Sequence, residues 1–475
     1  MYFYYIRILF AILTIFVIGY ILLRIIRRSK QNRNFLEVVG LSFGLGTGSL
    51  SMSMFLLSYM HISLIFLNIL LFYIPFFVIF ALIMLKIGIF DKISTIKDEI
   101  KNLNWIDLVL LLLILLTILC VFHNALVLPL IHGDEIGSWG YKAKILYHVA
   151  SIYSNDFFDT DRAIQCQHYP LLIPLVESWI YTVLGCVDER AVKVIFPIFF
   201  TVLLLIIYTA QRKIFSRTHA LLFTALLASL PNFVLIGHTS FAGTAISGYS
   251  DVPLSFFYSV STIYLYLWIK EHNRDYICIA AIFAAFAMFT KDEGIALFLI
   301  NAMVLSLHTI SNFKDTTKIK ICHLLIYLIV PIVICMPWFM YKMEIPKLGG
   351  YGPESFAISI IIQNLSRIPT ILTTFMIEFI NLKQWNVLWV LLVVSTLFAV
   401  KETFKKPMVY LFLIILLQLS LFVLVFIVSP LDLALHMHKH LARFLILVAP
   451  VAIFLMSNQI YYGNLLPSLR IIKKV

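Results

Sequence analysis

The chain has 475 residues, 61% of them hydrophobic and only 13% charged, and its mean hydropathy is +0.97. A water-soluble protein of this length needs far more polar surface, so the composition excludes one and indicates an integral membrane protein. The formal net charge of +12 does not call for a nucleic-acid partner, because the basic residues gather in short loops where they orient membrane spans.

A span needs about 20 mostly apolar residues, which predicts about thirteen helices and an all-α polytopic fold. They fall near 3–24, 36–58, 62–85, 106–129, 192–210, 219–236, 253–269, 276–290, 295–310, 321–341, 384–400, 408–429 and 443–461. With simple alternation, Arg24, Arg27, Lys101, Arg212, Lys213, Arg217, Lys270, Arg274, Lys318, Lys320, Lys401, Lys405 and Lys406 all fall on one side. The positive-inside rule makes that side the cytoplasm, with the N-terminus outside and the C-terminus inside a plasma (inner) membrane. The first segment carries its cations after the apolar run and has no small-residue cleavage site, so it is expected to remain as a helix.

The second segment places Gly40, Gly44 and Gly48 at four-residue spacing. No lysine follows and no strand precedes them, so close helix packing fits better than a phosphate loop. Residues 1–101 therefore read as a three-helix appendage, residues 102–341 as the core, and residues 342–475 as a second outer loop with the C-terminal helices.

The fourth segment ends at Asp134-Glu135, two adjacent acids at the mouth of a span, where charges are costly and usually serve chemistry or ion coupling. They open a long outer loop, 130–191, with two stretches that read as interfacial helices. One carries Trp139, Tyr141, Ile145, Leu146, Val149 and Ile152, with Lys142 and Lys144 on its polar side; the other runs from Leu171 to Leu184. Cys166 and Cys186 share this loop and are read either as a pair in an oxidising compartment or as free thiols; the six cysteines show no metal spacing. A second long loop, 342–383, holds a Gly-rich turn at 349–353 and a predicted helix over 355–366.

On the same outer side lie Gly248-Tyr249-Ser250-Asp251-Val252-Pro253, then Thr290-Lys291-Asp292-Glu293-Gly294, then His436, His438, Lys439, His440 and Arg443. Each has a bland alternative. Asp251 suits an N-cap, Lys291 and Glu293 a solvated turn, and Arg443 a snorkelling cation. The histidine spacing does not lie on one helical face, so interfacial polar residues fit it better than a metal site. No cofactor is indicated, and the sequence leaves a divalent-metal requirement open.

Together these residues resemble the GT-C membrane glycosyltransferases, among them the protein O-mannosyltransferase and aminoarabinose-transferase-like enzymes. Asp134-Glu135 followed by Trp139 and Lys142-Ala143-Lys144, then His168-Tyr169-Pro170-Leu171-Leu172-Ile173-Pro174, carry the resemblance. So do Tyr249-Ser250-Asp251-Val252-Pro253-Leu254, Thr290-Lys291-Asp292-Glu293-Gly294, and Arg443-Phe444-Leu445 running to Pro450. The likeness covers roughly residues 105–455. It departs from the pattern where relatives often place a lysine before two prolines, since Gln167 and His168 here precede the single Pro170.

The resemblance implies transfer of a sugar from a polyprenyl-phosphate donor to an acceptor hydroxyl at the outer face. Asp134 is then the expected base, with Glu135 tuning it or orienting the acceptor. Arg443, Lys291, His440 and Lys142 are expected at the donor phosphate, and Asp251, Glu293, His168 and Tyr169 at the substrate. The acceptor, whether glycan, lipid or protein, is not specified. A transporter or flippase of lipid-linked sugars, or a polysaccharide polymerase or ligase, are the competing readings; transporters usually hold their charges near the midplane and show repeated halves.

Overall fold

Each of the thirteen predicted segments contains a helix. The computed structural model describes residues 2–27, 33–87, 93–94, 99, 101–131, 133–159, 166–235, 243–311, 317–346, 351 and 353–466. Glycines 349, 350 and 352 of the predicted turn, and Arg470, Lys473 and Lys474 of the C-terminal tail, lie outside that range.

In chain order the principal helices are α1 (Tyr2–Ile26), α2 (Phe35–Tyr59), α3 (Phe66–Ile87) and α4 (Trp105–Val127). Next come α5 (Tyr141–Val149), α6 (Leu172–Leu184), α7 (Ile195–Arg212), α8 (Arg217–Ala228), α9 (Asp251–Glu271) and α10 (Arg274–Thr290). The chain continues with α11 (Glu293–Ser311), α12 (Thr317–Lys342), α13 (Ile368–Phe379), α14 (Leu388–Phe398), α15 (Met408–Ile427) and α16 (Leu433–Tyr462). Among the described residues, nine helices are long and apolar enough to cross a membrane, and β structure is limited to a two-residue parallel pairing of 33–34 with 93–94. The chain is an all-α polytopic membrane protein.

Helix α9 is the hub. Its most apolar window is 100% buried, whereas that of α4 is only 17% buried, which puts α4 at the rim. Small hydroxyl residues let three neighbours approach α9 closely and give their backbones or amides a partner. The Ser255 hydroxyl donates to Ile446 O of α16 at 2.9 Å, the Ser261 hydroxyl donates to Ala280 O of α10 at 2.9 Å, and Asn301 of α11 donates to Thr262 at 3.0 Å.

Helix α2 also lies within the bundle. A Cβ on Gly46 would come 1.8 Å from Ile15 O of α1, so only hydrogen allows that crossing. On the other face, a Cβ on Gly44 or Gly48 would meet the Phe283 or Phe286 ring of α10 at 2.6 or 2.3 Å. The spaced Gly44 and Gly48 thus pack against α10 while Gly46 packs against α1, and α2 joins the N-terminal helices to the core. Helix α6 is buried along nearly its whole length, Glu177 and Ser178 included. Its Trp179 indole donates to Ala11 O of α1 at 3.2 Å.

One end of the bundle is tied by buried ion pairs. Glu37 of α2 accepts from Arg27 at 2.5 Å, lies 3.2 Å from Lys213, and takes the Tyr264 hydroxyl of α9. Asp107 of α4 accepts from Thr218 at 2.7 Å, and Arg217 lies 3.8 Å away. Because α9 runs from Asp251 to Glu271, its first residue lies at the opposite end, together with the exit of α4.

Candidate active site

At that opposite end, residues from four separate parts of the chain form an alternating ladder of charge. Arg443 of α16 donates through Nη1 to Asp134 Oδ2 at 2.8 Å and through Nε to Asp251 Oδ2 at 2.9 Å. The other oxygen of Asp251 accepts from Lys291 Nζ at 2.9 Å, and Lys291 is in turn 2.9 Å from Glu293 Oε1. The order is acid, base, acid, base, acid. Asp251, Lys291 and Arg443 are buried, whereas the Asp134 side chain is 33% exposed. The ladder therefore opens to its surroundings at its two ends, most at Asp134, with the Glu293 side chain 22% exposed at the other.

Local structure explains these positions. Asp251 is the first residue of α9, Lys291 caps the C-terminus of α10 and Glu293 opens α11. Arg443 lies well inside the long α16, where burial of an unpaired guanidinium would be costly and two carboxylates offset it. Gly243 packs against Asp251 so closely that a Cβ there would sit 1.9 Å from Oδ2.

The adjacent acids divide their work. After Asp134 the chain makes a π-helical turn, Glu135–Gly140, an uncommon geometry that recurs at functional sites. Glu135 is fully buried; it accepts the Ile131 N–H at 2.7 Å and the Gly248 N–H. It thereby joins the exit of α4 to the segment leading into Asp251. Both of its carboxylate oxygens hold backbone.

Tyr249, to which the sequence assigns no role, links Arg443 to Asp134. The Arg443 guanidinium lies over its ring, 4.7 Å from the centroid, and its hydroxyl accepts the Asp134 N–H at 3.3 Å. Burial pushes the Tyr249 hydroxyl above its ordinary pKa, followed in importance by the Asp134 charge. Lys291 is penalised by burial, yet the Asp251 and Glu293 carboxylates outweigh this and hold its pKa above the ordinary value.

A second polar group adjoins the ladder. Lys342, at the end of α12, grips both Asp292 oxygens at 2.6 and 2.7 Å, and His168 Nε2 lies 3.8 Å from the same carboxylate. Tyr169 packs against Trp139, with ring centroids 5.7 Å apart. The Glu293 charge, then burial, pushes the Tyr169 hydroxyl well above its ordinary pKa. The sequence assigns Lys342 no role; a cation that ends an apolar helix is the signal that could find it.

Lys142 sits differently from the other cations. It is fully buried and donates to Cys166 O at 2.6 Å and Tyr169 O at 3.2 Å. Burial pulls its pKa down to about 7. Its ammonium is occupied by the turn that carries His168 and Tyr169, so the residue supports that turn. His440 is one turn before Arg443 on α16 and half-buried, with its ring 4.9 Å from that of His436. Cys166 and Cys186 are both free. Among the described residues no group of three or more His, Cys, Asp or Glu side chains is placed to hold a metal ion.

Residues 168–341 match the family described as dolichyl-phosphate-mannose-protein mannosyltransferase, a domain of the GT-C class. With the polytopic helical fold, the match supports a GT-C membrane glycosyltransferase that uses a lipid-linked donor. The matched stretch contains His168, Tyr169, Asp251, Lys291 and Glu293; Asp134 and Glu135 precede it, and Arg443 follows. No curated protein matches the chain.

Proposed function

We propose that this protein transfers a sugar, with inversion, from a polyprenyl-phosphate donor to an acceptor hydroxyl at the outer membrane face, using Asp134 as general base. The observation that carries this reading is the ladder Asp134–Arg443–Asp251–Lys291–Glu293. Four of its members lie at or beside helix ends. A transporter would be expected to hold its charges at a midplane site.

Transfer requires the acceptor oxygen to lose a proton as it attacks the anomeric carbon, which gains oxocarbenium character while its bond to the phosphate oxygen breaks. Asp134 is the ladder's most exposed carboxylate, and Arg443 fixes its orientation. The departing lipid phosphate gains charge that a nearby cation stabilises. Arg443, with its planar fork of donors, is the first candidate, supported by Lys291 and by His440 on the same face of α16. Asp251 holds both cations in register. Glu293, His168 and Tyr169 line the neighbouring space and are assigned to sugar or acceptor hydroxyls. Glu135 and Lys142 support the two segments that frame the site.

The test is transfer by the purified protein from defined polyprenyl-phosphate sugars, with mass spectrometry of the products. Wild-type protein consumes the donor and forms a glycoconjugate. Asp134→Asn loses at least about 100-fold in rate, the usual contribution of a positioned base, while retaining its yield and melting temperature. Near-wild-type transfer by that variant removes Asp134 as the base.

A further inference from the structure

Two clefts between helices, both apart from the charge ladder, differ in one respect. The first, about 240 Å³, lies between α1, α10 and α12; the second, about 190 Å³, lies between α14, α15 and α16. The second is apolar, lined by residues such as Leu392, Phe412, Leu416 and Leu455. Its polar member, Thr396, is occupied by hydrogen bonds with Leu392 O and Gln459. The first carries an arginine at one end.

We propose that the first cleft binds one anionic phospholipid, with an acyl chain along the groove and the phosphate on Arg274. Arg274, Cys278 and Ile282 recur every four residues, so they form one stripe along α10. Ile326 and Val330 of α12 and Ile26 of α1 face that stripe. From Arg274 to Ile282 the helix rises about 12 Å, enough for several methylenes to lie beside it, starting at the guanidinium.

Arg274 is exposed and makes no hydrogen bond or ion pair with any described residue. It opens α10 at the end of the bundle where Arg27, Lys213 and Arg217 gather. The titratable groups around it are His323 of α12 and His272 after α9, with exposed Glu271 and buried Asp275 nearby in sequence. A guanidinium beside an apolar groove matches a phosphodiester headgroup with its chain attached, and basic pockets between membrane helices favour anionic lipids. The second cleft accommodates hydrocarbon alone and provides the internal control.

The experiment is native mass spectrometry of the full-length protein in mild detergent, titrated with phosphatidylglycerol or phosphatidylcholine. Wild-type protein is expected to retain one phosphatidylglycerol in preference to phosphatidylcholine. Arg274→Gln should weaken that binding about fivefold, the attraction of one interfacial cation, and abolish the preference. Cys278→Trp fills the groove and should remove the bound lipid, whereas Leu416→Trp in the second cleft should leave headgroup preference unchanged. Equal retention of both lipids by wild-type protein, or an unchanged preference in Arg274→Gln, overturns the proposal. So does release of phosphatidylglycerol by inorganic phosphate alone, or a change of oligomeric state in Cys278→Trp at constant lipid count. Arg274 is a surface residue, so its variant keeps the test valid where the groove-filling variant fails to fold.

Discussion

Arg443 reaches Asp134 across 309 positions of the chain, Nη1 to Oδ2 at 2.8 Å, while its Nε holds Asp251 at 2.9 Å. One guanidinium therefore connects the exposed acid to the buried one. Its planar fork can serve two carboxylates at fixed angles, which a lysine ammonium does not reproduce.

Replacing Arg443 by Ala should weaken donor binding more than acceptor binding and also destabilise the protein. Leaving Asp251 with Lys291 as its remaining cation is expected to cost about 3 kcal/mol, in the range for breaking a buried ion pair. Adding Asp251→Asn to Arg443→Ala should recover part of that stability without recovering transfer. Thermal unfolding in detergent and donor KM measure the two effects separately. A donor KM unchanged in Arg443→Ala removes Arg443 from the phosphate.

Glu135→Gln should act through position. Its carboxylate accepts two backbone N–H groups, from Ile131 and Gly248, and an amide keeps one oxygen to do so. The expected loss is about 1.5–3 kcal/mol, the range for hydrogen bonds to charged groups, with a fall in turnover but no movement of the pH–rate profile. A shifted profile would assign Glu135 a direct proton-transfer role.

Lys142 makes stability depend on pH. Its pKa falls from 10.5 in the unfolded chain to about 7 in the fold, because burial opposes its charge. Between those values the unfolded chain binds the extra proton, so this group makes stability rise with pH, by up to about 1.4 kcal/mol per unit. Below pH 7 both states are protonated and the dependence ends. Lys142→Met should flatten the increase in melting temperature between pH 7 and 10. An identical slope in the variant refutes this account.

Gly46→Ala should separate α1 from α2, since the new Cβ would lie 1.8 Å from a backbone oxygen that no rotamer change can move. Overpacking of this kind costs about 1–3 kcal/mol. Gly133→Ala, one residue before Asp134, meets nothing within 4 Å and should leave the melting temperature unchanged. The pair of variants separates packing glycines from permissive ones, with melting temperature as the readout.

Much of this protein was legible along the chain. Hydropathy is a property of windows about 20 residues long, so the helical segments and the all-helical class followed from local composition. The acids at the exit of α4, the start of α9 and the turn between α10 and α11 were also legible, because charge beside an apolar span is conspicuous. Tertiary structure decided what each side chain touches. It turned Asp134 toward the opening and Glu135 into the backbone, although the two are neighbours in sequence. It placed Lys142 under the turn at Cys166–Tyr169, gave Tyr249 to Arg443, and seated α2 among the core helices. Each of these depends on how segments from 24 to 309 residues apart pack against one another, which no local window contains.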